Sequence, residues 1–398
     1  MSKNKPVIAI YSGNIPSTTF IENLINVLSE DGFKIYLFGK QKKKVSYNEN
    51  VKLFPTPSDD FKLVFFVIKE FIKLFRGNIQ LLRKSLKEIG KKHSTLKKKI
   101  INAGFIFPIL NHQPDIFHIQ WAKTVEQNQE IFSLLNCRIA LSLRGAHINY
   151  SPLTDKNLKN AYNKYFPDID GFHAVSDAIG KEAVRYGAEA DKIKVIHSAV
   201  RDELFTENPR LYNAGKIPEI ISVGRHHWKK GYHYAIDAMN ILKNDGIKFR
   251  YTIIAQGDVP EEIIYLINDY KLDEEIKIIN GMQYEDLIKQ LTNAHLLLLP
   301  SVEEGIANVV LEAMAAGVPV ITTDCGGMKE VVKNKYNGYI VPSRNPAATA
   351  ERIKEFLNSD IKDLREIVKN ARATIQDDFS REKQKNDFRN FYNSLMNS

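Results

Sequence analysis

The sequence contains little cysteine and no long apolar run, and both absences narrow the range of functions. Only two of its 398 residues are cysteine, Cys137 and Cys325, which lie far apart and outside any paired motif. This pattern indicates neither a disulfide framework nor a zinc site, and it is typical of a protein in the reducing cytosol. A membrane-spanning helix needs about 18 or more apolar residues in a row, and the sequence has no such run. We therefore expect a cytoplasmic protein that does not cross the membrane.

The composition is that of a soluble globular protein, with 43% hydrophobic and 26% charged residues. A length of 398 residues exceeds one comfortable hydrophobic core, so the chain is predicted to form two domains of roughly 200 residues each. The net charge of +9 would suit a nucleic-acid partner, but the sequence has no recognition helix or base-stacking motif. We therefore expect no nucleic acid among the partners.

The positive charge is concentrated between Lys40 and Lys99, where 17 lysine or arginine residues outnumber five aspartate or glutamate residues. Within this stretch, Phe61 to Ile89 predicts amphipathic helices, because apolar residues recur at helical spacing beside basic ones. Two interpretations remain open. In one, the phenylalanines cover the core and the lysines are solvated. In the other, the stretch binds an anionic membrane surface, where each basic residue contributes roughly 1 kcal/mol, and the protein is peripheral on the inner face of the membrane.

The chain opens with a strand, a helix and a second strand. VIAIYSG, from Val7 to Gly13, is predicted as a parallel strand that ends in a turn, TTFIENLINVLSEDG as a helix that stops at Gly32, and FKIYLFG as the next strand. This order is typical of a doubly wound sheet, whose ligands bind beyond the carboxyl ends of the strands. Gly13 and Asn14 are expected at that position.

Two further predicted strands finish with polar residues where such a site would lie. PDIFHIQW (Pro114 to Trp121) contains His118, and RIALSLRG (Arg138 to Gly145) contains Arg144 and is followed by His147. A histidine at a strand end is as often a satisfied structural group as a catalytic one. An arginine does not act as a base at neutral pH.

The second half of the chain continues the alternation of strands and helices. EIISVGRHHWKKG (Glu219 to Gly231) is a strand whose loop delivers Arg225 and Lys230, five residues apart. Two cations beyond a strand end suit a diphosphate, Arg through its planar fork and Lys as a point charge. Lys229, by contrast, is expected on the surface.

The stretch from Pro300 to Glu330 places two carboxylates around a strand-to-helix turn. The apolar run before it predicts a buried strand, and residues 307–316 predict a helix. Glu304 and Glu312 are eight positions apart, which on a helix differ by only about 80° around the axis, so both are predicted to face one crevice. The free N–H groups and the positive end of the helix dipole at such a turn suit a phosphate.

This stretch closely resembles a known signature. E-G-I-A-N-V-V-L-E-A-M-A-A-G-V-P-V is similar to the E-x7-E signature of the retaining GT-B glycosyltransferases of family 4, the glycosyl transferases group 1, and V-G-R…K-G resembles the same family. The resemblance implies an α/β GT-B fold, with two Rossmann-like doubly wound domains facing one another across a cleft. Residues 1–200 are the implied acceptor-binding domain, residues 201–378 the nucleotide-sugar-binding domain, and residues 379–398 a helix that crosses back to the first domain. The linker is predicted near residues 201–216.

The resemblance also implies the site residues. Glu312 is expected to bind the ribose hydroxyls and Glu304 the sugar, while Arg225 and Lys230 neutralise the leaving diphosphate. The implied donor-binding residues are Gly13, Arg225, Lys230, Gly281, Met282, Glu304, Gly305, Ile306, Ala307, Asn308 and Glu312. The implied catalytic residues are Arg225, Lys230, Glu304, His147 and Arg144, and the acceptor-side residues are Asn14, His118, Arg144 and His147. No metal ion and no cofactor are expected. The nucleoside-diphosphate sugar is a co-substrate and not a cofactor.

Two departures from the family pattern leave alternatives open. The family's usual His-Gly pair is here Arg144-Gly145, so either His147 substitutes for the histidine or Arg144 binds an anionic group on donor or acceptor. The family's usual Gly-Phe-Gly is here Gly305-Ile306-Ala307, which leaves the identity of the donor sugar open.

The function implied by the resemblance is retaining glycosyl transfer. A sugar would move from a nucleoside diphosphate to a hydroxyl of a glycan or lipid-linked acceptor, as in bacterial cell-surface polysaccharide synthesis. The alternatives are a sugar-nucleotide epimerase with the same fold and a non-catalytic partner subunit of a glycosyltransferase. The third alternative is a basic nucleic-acid-binding protein, which would have to be retained on DNA at physiological salt.

Overall fold

The computed structural model describes residues 5–205, 211–213 and 216–397, and the chain divides into two compact units. The first unit comprises residues 1–175, 179–196 and 384–398, and the second comprises residues 176–178 and 197–383. The predicted linker, residues 201–216, includes positions that lie outside the described residues. Each unit is an α/β fold on a parallel sheet, which confirms the predicted doubly wound architecture.

The first unit is organised around a sheet of seven parallel strands. In chain order the strands are β1 Val7–Ile15, β2 Lys34–Gln41, β3 Val51–Thr56, β4 Ile116–Ile119, β5 Arg138–Leu143, β6 Gly171–Ala174 and β7 Ile193–Val195. Across the sheet their order is β3-β2-β1-β4-β5-β6-β7. Ile8 and Ile10 enter one hydrophobic cluster and Ala9 another, because successive side chains of a strand point to opposite faces. The order reverses between β1 and β4, and ligands of such sheets bind beyond the strand ends at that point.

The first strand is longer than the sequence predicts. Gly13 and Asn14 lie within β1, paired with Gly39 and Lys40 of β2, and the register shifts between Tyr11 and Gly13. Gly13 has a φ of 84°, a conformation that glycine adopts without steric cost. This irregularity lets pairing continue past the position where a turn was expected, so the predicted end of the strand at Gly13 is wrong.

The helices between these strands are α1 Thr19–Glu30, α2 Asp60–Gly77, α3 Ile79–Lys92, α4 Leu96–His112, α5 Gln129–Leu134, α6 Ala146–Asn149, α7 Ser151–Thr154, α8 Lys156–Tyr165 and α9 Asp177–Val184. Helix α2 begins where the Asp59 side chain accepts a hydrogen bond from the Lys62 backbone N–H, a common N-cap. No helix in the described ranges is both long and apolar enough to cross a bilayer.

Helix α2 divides its apolar side chains between the core and the solvent. Leu63 and Leu74 are buried, together with the charged Glu70. Phe71 packs against the core but is partly exposed. The other side is apolar and exposed, with relative accessibilities of 73% for Phe61, 37% for Val64, 58% for Phe65, 49% for Ile68, 44% for Ile72 and 53% for Phe75. The interpretation that the phenylalanines cover the core is therefore wrong for Phe61, Phe65 and Phe75.

The second unit contains a sheet of six parallel strands. They are β8 Glu219–Arg225, β9 Arg250–Gln256, β10 Ile276–Asn280, β11 Leu296–Leu299, β12 Val320–Thr323 and β13 Tyr339–Val341, in the order β10-β9-β8-β11-β12-β13. This order reverses between β8 and β11, so the ends of those two strands mark the expected ligand position. Apolar side chains again form two clusters, with Leu296 and Leu298 in one and Leu297 and Leu299 in the other.

The helices that follow β8 are α10 Tyr232–Asn244, α11 Glu261–Asp269, α12 Tyr284–Asn293, α13 Asn308–Ala316, α14 Met328–Val331, α15 Pro346–Leu357, α16 Ile361–Asp378 and α17 Arg381–Asn397. Most of α17 belongs to the first unit. There Phe388, Phe391, Tyr392 and Leu395 share a hydrophobic cluster with Ile8. The C-terminal helix thus completes one face of the first sheet.

Candidate functional site

A buried ion pair lies at the end of β11 in the second unit. Lys230 Nζ donates a hydrogen bond to Glu304 Oε1 at 2.6 Å, and Ser301 Oγ donates to the same oxygen at 3.1 Å. Glu304 is only 7% exposed. It precedes α13, which begins at Asn308, so the helical spacing predicted for Glu304 and Glu312 is wrong because only Glu312 is in the helix.

Lys229 belongs to the same cluster, and its expected surface position is wrong. It is 7% exposed, and its Nζ lies 3.9 Å from Glu304 Oε2 and 3.7 Å from Glu303 Oε2. Its backbone carbonyl accepts a hydrogen bond of 2.7 Å from the Val302 N–H, which ties the two loops together. Sequence reasoning missed Lys229 because neighbouring lysines in a loop give no sign of which one turns inward.

The two lysines determine the charge of Glu304. Burial alone would raise its pKa, but the ammonium groups of Lys230 and Lys229 and the hydrogen bonds from Lys230 and Ser301 outweigh burial and lower the pKa below its ordinary value. Glu304 is therefore a carboxylate at neutral pH, and the cluster combines two lysines with two glutamates, of which Glu304 is the buried one.

The loop that carries Glu304 is held by the glycine pair after β12. The Gly327 N–H donates a 2.8 Å hydrogen bond to the Gly305 carbonyl. A Cβ added to Gly326 would lie 1.7 Å from the Glu304 carbonyl oxygen, so only glycine fits there. This close backbone approach is the physical reason for the two successive glycines, Gly326 and Gly327, after β12.

Arg225 is the last residue of β8 and its side chain is exposed. Within the described part of the chain its guanidinium makes no hydrogen bond or ion pair, in contrast to the ammonium of Lys230. The two residues predicted to bind a diphosphate therefore differ in their surroundings. Lys230 is already paired with the Glu304 carboxylate, whereas the Arg225 side chain faces solvent.

Glu312, on α13, is linked to two residues that the sequence analysis did not single out. Tyr284 Oη donates a 3.2 Å hydrogen bond to Glu312 Oε1, and the Arg201 guanidinium lies 4.5 Å from the Tyr284 ring centroid, within cation–π range. Burial raises the pKa of Glu312, while Tyr284 and Arg201 oppose that rise. The available sequence signal was the position of Tyr284 two residues after the Gly281-Met282 turn that follows β10.

The remaining donor-side residues of the second unit lie along the same edge of its sheet, whereas Gly13 lies in β1 of the first unit. Gly281 and Met282 follow β10, and the Gly281 N–H donates a 3.0 Å hydrogen bond to the Ala255 carbonyl at the end of the neighbouring strand β9. Ile306 and Ala307 lie in the loop between β11 and α13, whose first residue, Asn308, is exposed.

In the first unit, Arg144 and His147 lie in one cluster beyond the ends of β4 and β5. The Arg144 guanidinium lies 4.4 Å from the Phe20 ring centroid, and its Nη2 donates a 3.2 Å hydrogen bond to Gln120 Oε1. The ring of His147 is 5.3 Å from that of Trp121, in an edge-to-face arrangement. Phe20, Gln120 and Trp121 were not predicted; their aromatic and amide side chains give no motif in the sequence.

His118 is the one acceptor-side candidate that the structure contradicts. It is fully buried, with Nδ1 at 2.8 Å from Tyr392 Oη and Nε2 at 2.9 Å from Ser142 Oγ. Burial lowers its pKa to about 3, and the Arg144 charge adds to that effect. A neutral histidine with both ring nitrogens hydrogen-bonded inside the core does not reach a substrate.

The buried hydrogen bonds around His118 form one ordered chain. His173 Nε2 lies 2.9 Å from the Ile196 carbonyl, which only accepts, so this nitrogen donates and His173 Nδ1 accepts from Ser142 Oγ at 2.8 Å. Ser142 then accepts from His118 Nε2, and His118 Nδ1 accepts from Tyr392 Oη. These hydrogen bonds give His118, Ser142 and His173 partners inside the core. The bond between His118 and Tyr392 fixes α17 against the sheet.

No three His, Cys, Asp or Glu side chains come together as metal ligands within residues 5–205, 211–213 and 216–397. The titratable groups of the two candidate clusters are instead paired with lysine, tyrosine or aromatic neighbours.

Known sequences match part of this chain. Residues 206–374 match the family model "Glycosyl transferases group 1". WcaL of Escherichia coli K12, whose name assigns it to colanic acid biosynthesis as a glycosyltransferase, is 33% identical over 228 residues, which are 56% of each chain. The amylovoran biosynthesis glycosyltransferase AmsK of Erwinia amylovora is 29% identical over 275 residues, 67% of each chain. The chain thus spans little more than half of WcaL.

Comparison with solved structures covers nearly the whole chain. Sucrose-phosphate synthase from Thermosynechococcus elongatus superposes with a TM-score of 0.75 at 16% identity, covering 99% of this chain and all of the other. A glycosyltransferase from Rickettsia africae gives 0.72 at 17% identity, covering 99% of both chains. Anabaena HepE in complex with UDP-glucose gives 0.70 at 14% identity, covering 99% of this chain and all of HepE. At these identities the likeness shows the fold, and this chain has the two-domain GT-B fold, with residues 206–374 matching the family model for the glycosyl transferases group 1.

Proposed function

We propose that the protein is a glycosyltransferase that moves a sugar from a nucleoside diphosphate to a hydroxyl of a glycan or lipid-linked acceptor in bacterial cell-surface polysaccharide synthesis. The observation that carries the proposal is the Lys230–Glu304 pair at the carboxyl edge of the second sheet, inside the segment that matches the group 1 model. The similarity to WcaL and AmsK supports the polysaccharide assignment.

Four charged groups of the second unit have roles in this reaction. Arg225 and Lys230 stabilise the negative charge that develops on the leaving diphosphate, which lowers the barrier. Glu304 accepts hydrogen bonds from sugar hydroxyls through the oxygen that Lys230 leaves free. Glu312 accepts hydrogen bonds from the ribose hydroxyls. Because two cations meet the diphosphate, the reaction proceeds without a metal ion, and the E-x7-E resemblance supports retention of the anomeric configuration.

We also propose that the protein binds an anionic membrane surface through α2. Its six exposed apolar residues, at positions 61, 64, 65, 68, 72 and 75, recur at spacings of three and four and so form one stripe. Lys62, Lys69, Lys73 and Arg76 are exposed on the same helix. An apolar stripe bordered by cations fits the boundary between acyl chains and anionic headgroups. Such attachment would bring a lipid-linked acceptor to the first unit.

The experiment that tests the transferase assignment is release of nucleoside diphosphate by the purified protein from a panel of nucleotide sugars, with and without membrane extract as acceptor source. We expect acceptor-dependent release that EDTA does not inhibit, and NMR of the product at short times should show the donor's anomeric configuration. An epimerase would instead change the sugar without releasing the diphosphate. Absence of binding to every nucleotide sugar, measured by thermal shift, would contradict the proposal.

A further inference from the structure

Among the residues that the structure describes, the guanidinium of Arg144 has no charged partner. Across residues 5–205, 211–213 and 216–397 no carboxylate lies within ion-pair distance of it, and its Nε–H is buried without a hydrogen-bond acceptor. Its contacts are the neutral oxygen of Gln120 and the face of the Phe20 ring. Burial lowers the pKa of Arg144 to about 9, so it still carries its charge at neutral pH. A partly buried cation without a counter-charge is unfavourable unless something compensates it.

A second donor without an acceptor lies beside it. Because Arg144 Nη2 can only donate, the Gln120 amide must turn its oxygen toward the guanidinium, and this leaves Gln120 Nε2 buried without an acceptor. Gln120 follows β4 directly and Arg144 follows β5 directly, and these strands are paired. Two unsatisfied donors therefore lie together at the carboxyl edge of the first sheet, next to its point of reversal, where ligands of this architecture bind.

The arrangement also defines how a ligand approaches. The Phe20 ring covers one face of the guanidinium, so we expect an anion to pair with its N–H edge. That edge presents parallel N–H groups whose geometry matches the two oxygens of a carboxylate or phosphate. A neutral hydroxyl would satisfy one donor and leave the charge uncompensated.

We propose that Arg144 and the Gln120 amide form an anion-binding subsite that receives a carboxylate or phosphate group of one of the two substrates. This inference rests on the proposed function and narrows its substrate class, since at least one substrate then carries an anionic group away from the nucleotide diphosphate. Arg144 is a binding residue in this assignment, which leaves His147 as the nearby titratable group of the cluster.

The first test asks whether the subsite holds an anion at all. Arg225→Ala/Lys230→Ala removes the diphosphate site, and thermal unfolding of this double variant is measured in sodium phosphate and in sodium chloride at equal ionic strength. We expect phosphate to raise the Tm by about 2 °C or more, and we expect no rise when Arg144→Gln is added. Arg144→Lys, which keeps the charge but loses the fork, should keep part of the rise. An equal effect of phosphate with and without Arg144 would overturn the proposal.

The second test identifies the source of the anion in the wild-type protein. Calorimetry compares UDP-glucuronate with UDP-glucose, for a carboxylate on the donor, and citronellyl phosphate with citronellol, for a phosphate on a lipid acceptor. We expect the charged member of one pair to bind at least tenfold more tightly, and Arg144→Gln to abolish that preference. Equal affinities within both pairs would overturn substrate recognition by Arg144. Failure of the proposed function is a different result, namely no nucleotide-sugar binding and no diphosphate release.

A purely structural role for Arg144 is distinguished by the stability of the ligand-free protein. Removing an uncompensated cation should leave the Tm of Arg144→Gln unchanged or raised, whereas a fall of several degrees would assign Arg144 to the packing of Phe20 and overturn the subsite.

Discussion

The ammonium of Lys230 and the carboxylate of Glu304 form a 2.6 Å ion pair although the two residues are 74 positions apart in the sequence. Neither group is well solvated, with side-chain accessibilities of 13% and 9%. Breaking a buried pair by removing one partner is costly, because the other charge stays behind without compensation. The pair therefore links the stability of the second unit to the chemistry proposed for it.

Lys230→Ala should lower both turnover and stability. Turnover should fall by orders of magnitude, because Lys230 meets charge that grows in the transition state. Stability should fall by about 1–3 kcal/mol, less than for an isolated buried pair, because Lys229 still lies 3.9 Å from Glu304. Urea unfolding and initial rates measure the two effects.

The matched control for this prediction is Lys230→Ala/Glu304→Gln, which removes both charges. It should regain most of the lost stability without regaining turnover. If the double variant is as unstable as the single one, the ion pair does not account for the loss; wild-type turnover in Lys230→Ala would remove Lys230 from the diphosphate site.

Arg225→Ala should lower turnover strongly without affecting stability. The side chain is exposed, and exposed substitutions away from specific contacts usually change stability by less than about 0.5 kcal/mol. The control is Arg365→Ala, an exposed arginine on α16, which should change neither quantity. Equal activities for the two variants would show that Arg225 does not meet the diphosphate.

Glu312→Gln should weaken nucleotide binding by roughly 1–3 kcal/mol, because a carboxylate accepts hydrogen bonds from ribose hydroxyls more strongly than an amide. Tyr284→Phe should have a smaller effect in the same direction, since it removes the hydrogen bond that orients Glu312. Burial raises the pKa of Glu312, so affinity should start to fall at a higher pH than an exposed glutamate would give. Calorimetry with the nucleoside diphosphate at several pH values measures this, and unchanged affinity in Glu312→Gln would place the ribose elsewhere.

Phe61→Ser/Phe65→Ser should release the protein from anionic vesicles. The wild type should sediment with phosphatidylglycerol vesicles at low salt and less so at high salt, and it should stay in solution with phosphatidylcholine vesicles. Leu153→Ser is the control, because Leu153 is 70% exposed but lies on α7, outside the basic stretch. A wild-type protein that stays in the supernatant with anionic vesicles at low salt would refute membrane attachment by α2.

Acid should destabilise the protein through His118. In the unfolded chain this residue takes up a proton near its ordinary pKa of 6.5, while in the folded protein the pKa is about 3. The stability from the neutral buried ring is therefore fully present above pH 6.5 and is lost as pH falls toward 3, at about 1.4 kcal/mol per pH unit. Between pH 6.5 and 5 the loss should be about 2 kcal/mol.

The measurement is urea unfolding of wild type and His118→Gln across that pH range. Glutamine keeps a donor and an acceptor near Ser142 and Tyr392 but does not titrate, so the difference in stability between the two proteins should shrink as pH falls. A difference that is independent of pH would show that His118 is not held neutral.

Local patterns in the sequence were enough to predict the α/β architecture and the carboxyl edge of the second sheet. Arg225 at the end of β8 and the loop between β11 and α13 lie where hydrophobic periodicity and turn residues placed them, because strand and helix periods depend on neighbouring residues along the chain. The helices after β3 were predicted for the same reason.

The tertiary structure decided which of these residues are buried and which partners they have. Lys229 and Lys230 are adjacent lysines, yet both turn toward Glu304 because the Val302 backbone and the Gly326 backbone hold the two loops together. His118 and Arg144 both lie near strand ends, yet α17 encloses His118, whereas Arg144 has no anionic partner among the described residues. Burial and pairing depend on residues far apart in sequence, and side-chain periodicity contains no information about them.

The same distinction explains α2. The sequence determined that one side of this helix is apolar and another basic, since that follows from spacing alone. Whether the apolar side faces the core or the solvent depended on how many positions the rest of the fold could cover. The first unit covers Leu63 and Leu74 and leaves Phe61, Phe65 and Phe75 exposed, because the buried side of a helix is set by what packs against it.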